Sequence, residues 1–289
     1  MKTNSKYKNS VFSYLFSNPD ALRELYCALK EVSLPHDVPV IINTLEDVLF
    51  MDLVNDISFE IGGKVVVLIE HQSTINPNMA LRLLMYIARV YEKITEDLNI
   101  YSTKKIFIPQ PEFFVLYNGI DPFPDTVTLK LSDMFKSIED MGLEKSSPVL
   151  ELQVTVLNIN EGRNETIAKR CGLLAQYSAF TGKVRELMNE GHKRQEALKK
   201  AVVYCRNHDI LKEFLERNGS EVFNMLMVEW DMDKALAVRY EEGMEEGVEK
   251  GMEKGREEGR KYFLQLLNQG LSVDEIKRRL VQEAGAREQ

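Results

Sequence analysis

The sequence predicts an α+β protein: a sheet-forming first part, residues 1–160, followed by a wholly helical remainder. Three observations carry this. Between residues 40 and 160, short apolar segments with a period of two or rich in β-branched residues recur between turn residues, which is the pattern of strands. Two stretches of the first part, Ala21 to Val32 and Asn78 to Leu98, instead repeat apolar residues at helical spacing. From Asn164 onward only the helical period remains.

Taken in order, Asn18-Pro19-Asp20 opens the first helix, whose Leu22, Leu25, Tyr26 and Leu29 share one face. Pro35 and Pro39 break the chain, and Val40 to Leu45 reads as a first strand. Asn55 to Ile61 alternates polar and apolar residues, Gly62-Gly63-Lys64 forms a loop, and Val65 to Ile69 is a second apolar arm, so the pair is a hairpin. The helix Asn78 to Leu98 follows, with Leu81, Leu84, Met85, Ala88 and Tyr91 on one broad face, then strands at Phe113 to Tyr117 and Leu150 to Leu157. Helical segments are expected near 164–190, 194–206, 208–217 and 219–238, with Asn218-Gly219 as a turn. The domains expected are 1–160, a helical region 161–240, a Gly-x-x-x repeat helix or linker 241–261, and a short helical unit 262–289.

Composition narrows the function. With 289 residues, 44% hydrophobic and 28% charged, the chain has ample material for a core. A formal charge of −8 argues against a protein that coats nucleic acid non-specifically. It agrees with a local basic groove beside carboxylates gathered at a metal site. Cys27, Cys171 and Cys205 are odd in number with no C-x-x-C spacing, so they are expected to be core thiols. The N-terminal apolar run is too short for a secretory leader and no segment approaches a membrane span, which predicts a cytoplasmic protein without a membrane partner. The aromatic stretches Tyr177 to Phe180 and Met225 to Trp230 are expected in the core.

One carboxylate stands out. Glu70 ends an apolar run that should be buried. Asp56, Ser58 and Glu60 share one face of the first hairpin arm, and Val66, Leu68, Glu70 and Gln72 one face of the second. A two-residue Gly62-Gly63 turn would pair Asp56 with Ile69 and send Glu70 to the opposite face. A three-residue loop including Lys64 pairs Ile61 with Val65 and Asp56 with Glu70. Both are open to the sequence, and the second is favoured. Under it the two acids sit directly across the hairpin with Cβ atoms about 5 Å apart, and their carboxylates repel unless one is protonated or a cation lies between them. Mg²⁺ would resolve the conflict, and Gln72 on the same face would orient a water beside it. His71 points to the other face and is expected to be structural in its side chain, while its backbone carbonyl is within reach of the ion. Glu60, beside the turn, is expected to be exposed.

Asp56, a hairpin, and Glu70-x-Gln72 before a helix resemble the Asp…Glu-x-Lys core of the PD-(D/E)xK nuclease superfamily. The longer string Glu70-His71-Gln72-Ser73-Thr74-Ile75-Asn76-Pro77-Asn78-Met79, with Arg82 and Tyr86 on the next helix, resembles the bacterial recombination-promoting nuclease, or transposase-like, branch. The N-terminal Tyr7-Lys8-Asn9, the strand before Asn118-Gly119, the helical second half and the repeat tail extend the likeness over nearly the whole chain. The resemblance implies a restriction-endonuclease-like core, a mixed sheet flanked by helices, and a Mg²⁺- or Mn²⁺-dependent DNA endonuclease linked to recombination. It makes Asp56, Glu70 and Gln72 catalytic, with Asp56, Glu70 and the His71 carbonyl as metal ligands. Gln72 stands where most of the superfamily has lysine, so catalysis would lean on the metal or on Arg82. Arg82, Tyr86, Lys104 and Lys105 would contact DNA or support the site, and Glu24 or Glu31 would supply a further acid from the first helix. The alternative is a nuclease fold of weak or no activity that serves as a DNA-binding or protein-interaction module.

The tail poses its own question. Gly243, Gly247, Gly251, Gly255 and Gly259 recur every four residues, beside Met244, Val248 and Met252. Each glycine costs a helix about 0.8 to 1 kcal/mol. A close helix pairing along the glycine seam would give weak self-association, and the competing expectation is a solvated spacer. Ser272 and Glu275 stand at capping-box spacing, which predicts that a short helix restarts there.

Overall fold

A computed structural model of the chain describes residues 11–43, 56–138, 141, 147–269 and 275–279. It divides into two compact units, Met1–Glu229 and Trp230–Gln289.

In the first unit, α1 (Val11–Leu15) and α2 (Pro19–Lys30) precede a hairpin-led sheet. Proline is tolerated at the start of α2 because the first-turn N–H groups have no helical partner, and Asn18 caps the helix by accepting from the Ala21 N–H at 2.9 Å. The strands are β1 (Val40–Ile42), β2 (Asp56–Ile61), β3 (Val65–Gln72), β4 (Gln110–Tyr117), β5 (Thr126–Lys130) and β6 (Gln153–Asn158), in the order β1-β2-β3-β4-β6-β5. β1, β2 and β3 are antiparallel neighbours, β3, β4 and β6 run parallel, and β5 closes the far edge antiparallel to β6. Helix α3 (Met79–Ile94) makes the crossover from β3 to β4 that a parallel pair requires.

β3 lies inside the sheet and is buried on both faces. Val66 and Leu68 join Met79, Leu83, Tyr86, Ile87 and Val90 of α3, with Phe113, Val115 and Tyr117 of β4, in one core. Val67 and Ile69 point the other way, and that face carries α1, α2 and α5 (Gly172–Asn189): Phe12 and Tyr177 both pack on His71, and Lys30 pairs with Glu112 at 2.9 Å. Between α5 and β6 lies the short α4 (Glu165–Arg170), and α6 (Arg194–Asn207) follows α5.

The mixed sheet with flanking helices is the architecture expected. Three elements are additional: α1, β5 and a short 3-10 helix, Leu131–Met134. β3 also runs further than the apolar run, through Glu70 and His71 to Gln72. The single helix expected over 164–190 is broken at Cys171, whose backbone is extended (φ −127°, ψ 93°). Asn218 is the one non-helical residue in α7 (Lys212–Asn268), a kink where a turn was expected. Tyr177 and Phe180 are core residues, as are Cys171 and Cys205, while Cys27 is half-buried. The expected strand end at Leu45 and the cap at Ser272 lie outside the described residues.

In the second unit, residues 230–268 are helical throughout, the glycine repeat included, and 275–279 form a further helical turn. Leu266 and Ile276 are buried, and the space beside Gly251, Gly255 and Gly259 is open.

The exits of β3 and β4 are pressed together. The Asn118 N–H donates to the Gln72 carbonyl at 2.8 Å, and a Cβ on Gly119 would stand 2.0 Å from the Ser73 carbonyl oxygen and 2.4 Å from Tyr117 Oη. Gly119→Ala must therefore displace backbone, and a loss of about 2 to 3 kcal/mol is expected in urea unfolding. An unchanged midpoint would show that these strand ends are not in contact.

Candidate functional site

The hairpin loop decides which residues meet. Gly62 and Gly63 both have positive φ (58° and 65°), a conformation that glycine adopts without penalty, and the Lys64 N–H returns to the Ile61 carbonyl at 3.0 Å. The register that follows pairs Ile61 with Val65 and Asp56 with Glu70. This is the three-residue loop.

Glu70 is 4% exposed. Its Oε1 accepts from Arg82 Nη2 at 2.8 Å and from Gln72 Nε2 at 2.7 Å, and its Oε2 is buried with no hydrogen-bond partner. Burial raises the carboxyl pKa, and Arg82 and Gln72 work against that rise. α3 supplies the cation because Met79, Arg82 and Tyr86 fall at i, i+3 and i+7 on the helical face turned to β3. Arg82 also donates to Tyr86 Oη at 3.1 Å. Gln72 Nε2 makes a second contact with Met79 Sδ at 2.7 Å. The amide nitrogen expected to orient a water is thus committed to holding Glu70.

His71 lies on the other face, as alternation requires. Its ring stacks on Phe12 (centroids 4.8 Å apart, 11° between planes) and meets the edge of Tyr177 at 5.4 Å. Nε2 lies 3.3 Å from Asn118 Nδ2 and 3.2 Å from Tyr177 Oη. Its carbonyl is placed by the strand. The Gln72 carbonyl faces β4, where Asn118 donates to it, so the His71 carbonyl one residue earlier faces β2.

The other predicted residues are apart from this cluster. Lys104 and Lys105 are exposed in the loop leading to β4, whose first residue pairs with Val65, five residues and about 16 Å along β3 from Glu70. Lys105 sits over the Phe107 ring at 5.4 Å. Glu24 accepts from the Gly172 N–H at 2.8 Å, at the start of α5. Glu31 ends α2 in the left-handed region and is exposed. α2 packs on the face opposite Glu70, so neither acid joins it. Residues that spacing did not single out are Asn118, Asn160, Tyr177 and Arg185, which tie α5 to the exits of β3, β4 and β6. Asn118 had a local signal, the Asn-Gly pair directly after a strand.

Burial, with the Arg185 charge nearby, pushes the His71 imidazole down from 6.5 to about 3. In the unfolded chain the ring takes a proton near its ordinary pKa, so unfolding absorbs a proton between the two values. Its contribution is full above pH 6.5 and is lost as pH falls. Going from pH 7 to pH 5 should cost about 2 kcal/mol through this group. Urea unfolding at both pH values, wild type against His71→Gln, measures it: the variant should lack that increment. Equal pH dependence would mean the ring is solvated.

Among the described residues, no group of three or more His, Cys, Asp or Glu side chains is arranged to hold a metal ion, and no helix is long and apolar enough to cross a membrane. No curated protein and no solved structure matches the chain. One family does, described as "Putative transposase, YhgA-like", and its match runs over residues 18–191, from the Asn18 cap of α2 to the end of α5, taking in the whole sheet. The chain belongs to this transposase-like family.

Proposed function

We propose that this protein is a metal-dependent DNA endonuclease of the PD-(D/E)xK type, hydrolysing phosphodiester bonds in a recombination-linked role. The family's name supports work on DNA. The observation that carries the chemistry is Glu70: one oxygen is held by two donors, and the other is buried and unsatisfied at the position cross-strand from Asp56. A buried carboxylate oxygen without a partner is costly, and a hard cation would satisfy it. Asp56, Glu70 Oε2 and the His71 carbonyl are the donors that would hold Mg²⁺ or Mn²⁺, all oxygen and all suited to it. Such an ion supplies a Lewis acid and a water acidic enough to attack a phosphodiester at neutral pH.

The chain's own groups do the rest. Arg82 offsets the charge of Glu70 and fixes its orientation, and Gln72 holds the same oxygen from the strand. Arg82 thus supplies the positive charge that a lysine at position 72 brings elsewhere in the superfamily. A second reading is favoured by the same pair: Arg82 neutralises Glu70 without an ion, as it would in a DNA-binding or protein-interaction module.

Cleavage separates the two. Supercoiled plasmid with Mg²⁺ or Mn²⁺ should be nicked by the wild type, and Asp56→Ala and Glu70→Gln should each lower the rate at least about 100-fold. Glu70→Gln is preferred to alanine because truncation would strand Arg82 and Gln72 without their acceptor. Mn²⁺ should raise the melting temperature of the wild type but not of Glu70→Gln. No nicking and no thermal shift in the wild type would sink the nuclease reading in favour of the module.

Gln72→Lys tests the departure from the superfamily pattern. A lysine ammonium can donate to Glu70 Oε1 as the amide does, so activity should be kept or raised. Complete loss in a folded variant would mean that the amide makes a contact an ammonium cannot.

A further inference from the structure

Arg185, on α5, lies across the sheet from Glu70 and takes no part in the chemistry proposed above. Its guanidinium donates to the backbone carbonyl and to Oδ1 of Asn118, and to Oδ1 of Asn160. Asn160 in turn donates to the Gly119 carbonyl at 3.0 Å. A guanidinium has only donors, so it can meet the Asn118 amide only at its oxygen. That orientation leaves Asn118 Nδ2, also only a donor, 3.3 Å from His71 Nε2 and 3.4 Å from Tyr177 Oη.

The consequence reaches the histidine. Nε2 accepts from the Asn118 N–H in this arrangement, and the Tyr177 hydroxyl at 3.2 Å can donate to the same nitrogen, which points to a neutral ring with its proton on Nδ1, the nitrogen that is buried without a partner. The ring cannot exchange its two nitrogens by turning over, because Phe12 covers its face and Tyr177 its edge. Asn118 therefore holds two consecutive residues of β3, the His71 ring through its side chain and the Gln72 carbonyl through its N–H at 2.8 Å. The hold on the ring depends on where Arg185 keeps the Asn118 side chain, and the Arg185 bond to the Asn118 carbonyl bears on the same residue.

We propose that Arg185 is a positioning residue: through Asn118 it fixes His71 as the Nδ1–H tautomer and so locks the end of β3 that carries Glu70 and Gln72. With His71 locked into one face, alternation keeps Glu70 and Gln72 on the other and the His71 carbonyl toward β2. The tautomer stands on the hydrogen-bond network alone. Its bearing on metal binding rests on the nuclease reading.

The test uses the full chain labelled with ¹⁵N-histidine, with the His71 signals among the four histidines identified by their loss in His71→Gln. Long-range ¹H–¹⁵N correlation should show Nδ1–H in the wild type, a shift toward Nε2–H in Arg185→Gln, and retention of Nδ1–H in Arg185→Lys, which still donates to Asn118. Mn²⁺ titration followed by electron paramagnetic resonance should then show affinity about 10- to 100-fold weaker in Arg185→Gln, nearer to wild type in Arg185→Lys, and unchanged in Arg163→Gln, which alters an exposed pair with Asp125. An Nε2–H wild type, or an unchanged tautomer in a folded Arg185→Gln, overturns the proposal. A switched tautomer with unchanged Mn²⁺ affinity overturns the positioning role. Absence of Mn²⁺ binding in the wild type would overturn the nuclease reading, while the tautomer would still decide the state of His71.

Discussion

The burial of the Glu70 carboxylate is the constraint that organises the sheet around it. A charge at 4% exposure costs several kcal/mol unless donors meet it. Two do, and each fixes something larger. Arg82 requires α3 to begin close behind β3, so that its first turns lie over the strand's end. Gln72 requires the strand to continue three residues past its apolar run. The β3–α3–β4 crossover thus carries the ion pair across the interior of one core, with Met79, Leu83 and Tyr86 packed along it.

On the opposite face the same strand end carries a neutral ring instead of a carboxylate. His71 is held between an aromatic face and an aromatic edge, and Asn118 reaches it from the neighbouring strand. α5 presents Tyr177 and Arg185 to that cluster, and the start of α5 is itself tied to α2 where Glu24 accepts the Gly172 N–H. An acid at a helix N-terminus meets both unsatisfied N–H groups and the positive end of the dipole. The first helix therefore bears on β3 by bracing α5 and not by lending it a carboxylate.

What was legible in the sequence was the local chemistry. Two glycines with a lysine announced a hairpin, and alternation put Glu70 and Gln72 on one face and His71 on the other. The inward face of α3 was misread: of the residues expected there, Leu81, Met85 and Ala88 are exposed, and Met79, Leu83, Tyr86, Ile87 and Val90 are buried instead, so Arg82 and Tyr86 were marked by the family resemblance and not by the helical period. The register was legible only as a preference, because two loop lengths were open, and the three-residue loop that was favoured is the one formed. β5 was missed because its residues are exposed and intermediate in turn, as suits an edge strand, and include only two large apolar side chains. The break at Cys171 has no helix-breaking residue at its own position. Arg185 was beyond local reasoning altogether: its partners lie 67 and 25 residues away, and nothing in the helix around it marks it from other surface arginines.

The three-residue hairpin loop has a genetic consequence. Substitutions at Lys64 leave the backbone count intact, and the sheet behind it is unaffected. Loss of one codon among residues 62–64 is a different event: composition and hydrophobicity hardly change, yet either the turn tightens to two residues with Ile61 still opposite Val65, or a three-residue loop is kept and the strand pairing slips by one position. With the slip, Asp56 would sit across from Ile69, while β3 stays fixed by α3, β4 and α5. Lineages of this protein should therefore tolerate changes of letter in the loop better than changes of its length, and a shortened loop that slips the register marks a copy in which position 56 no longer stands across from Glu70.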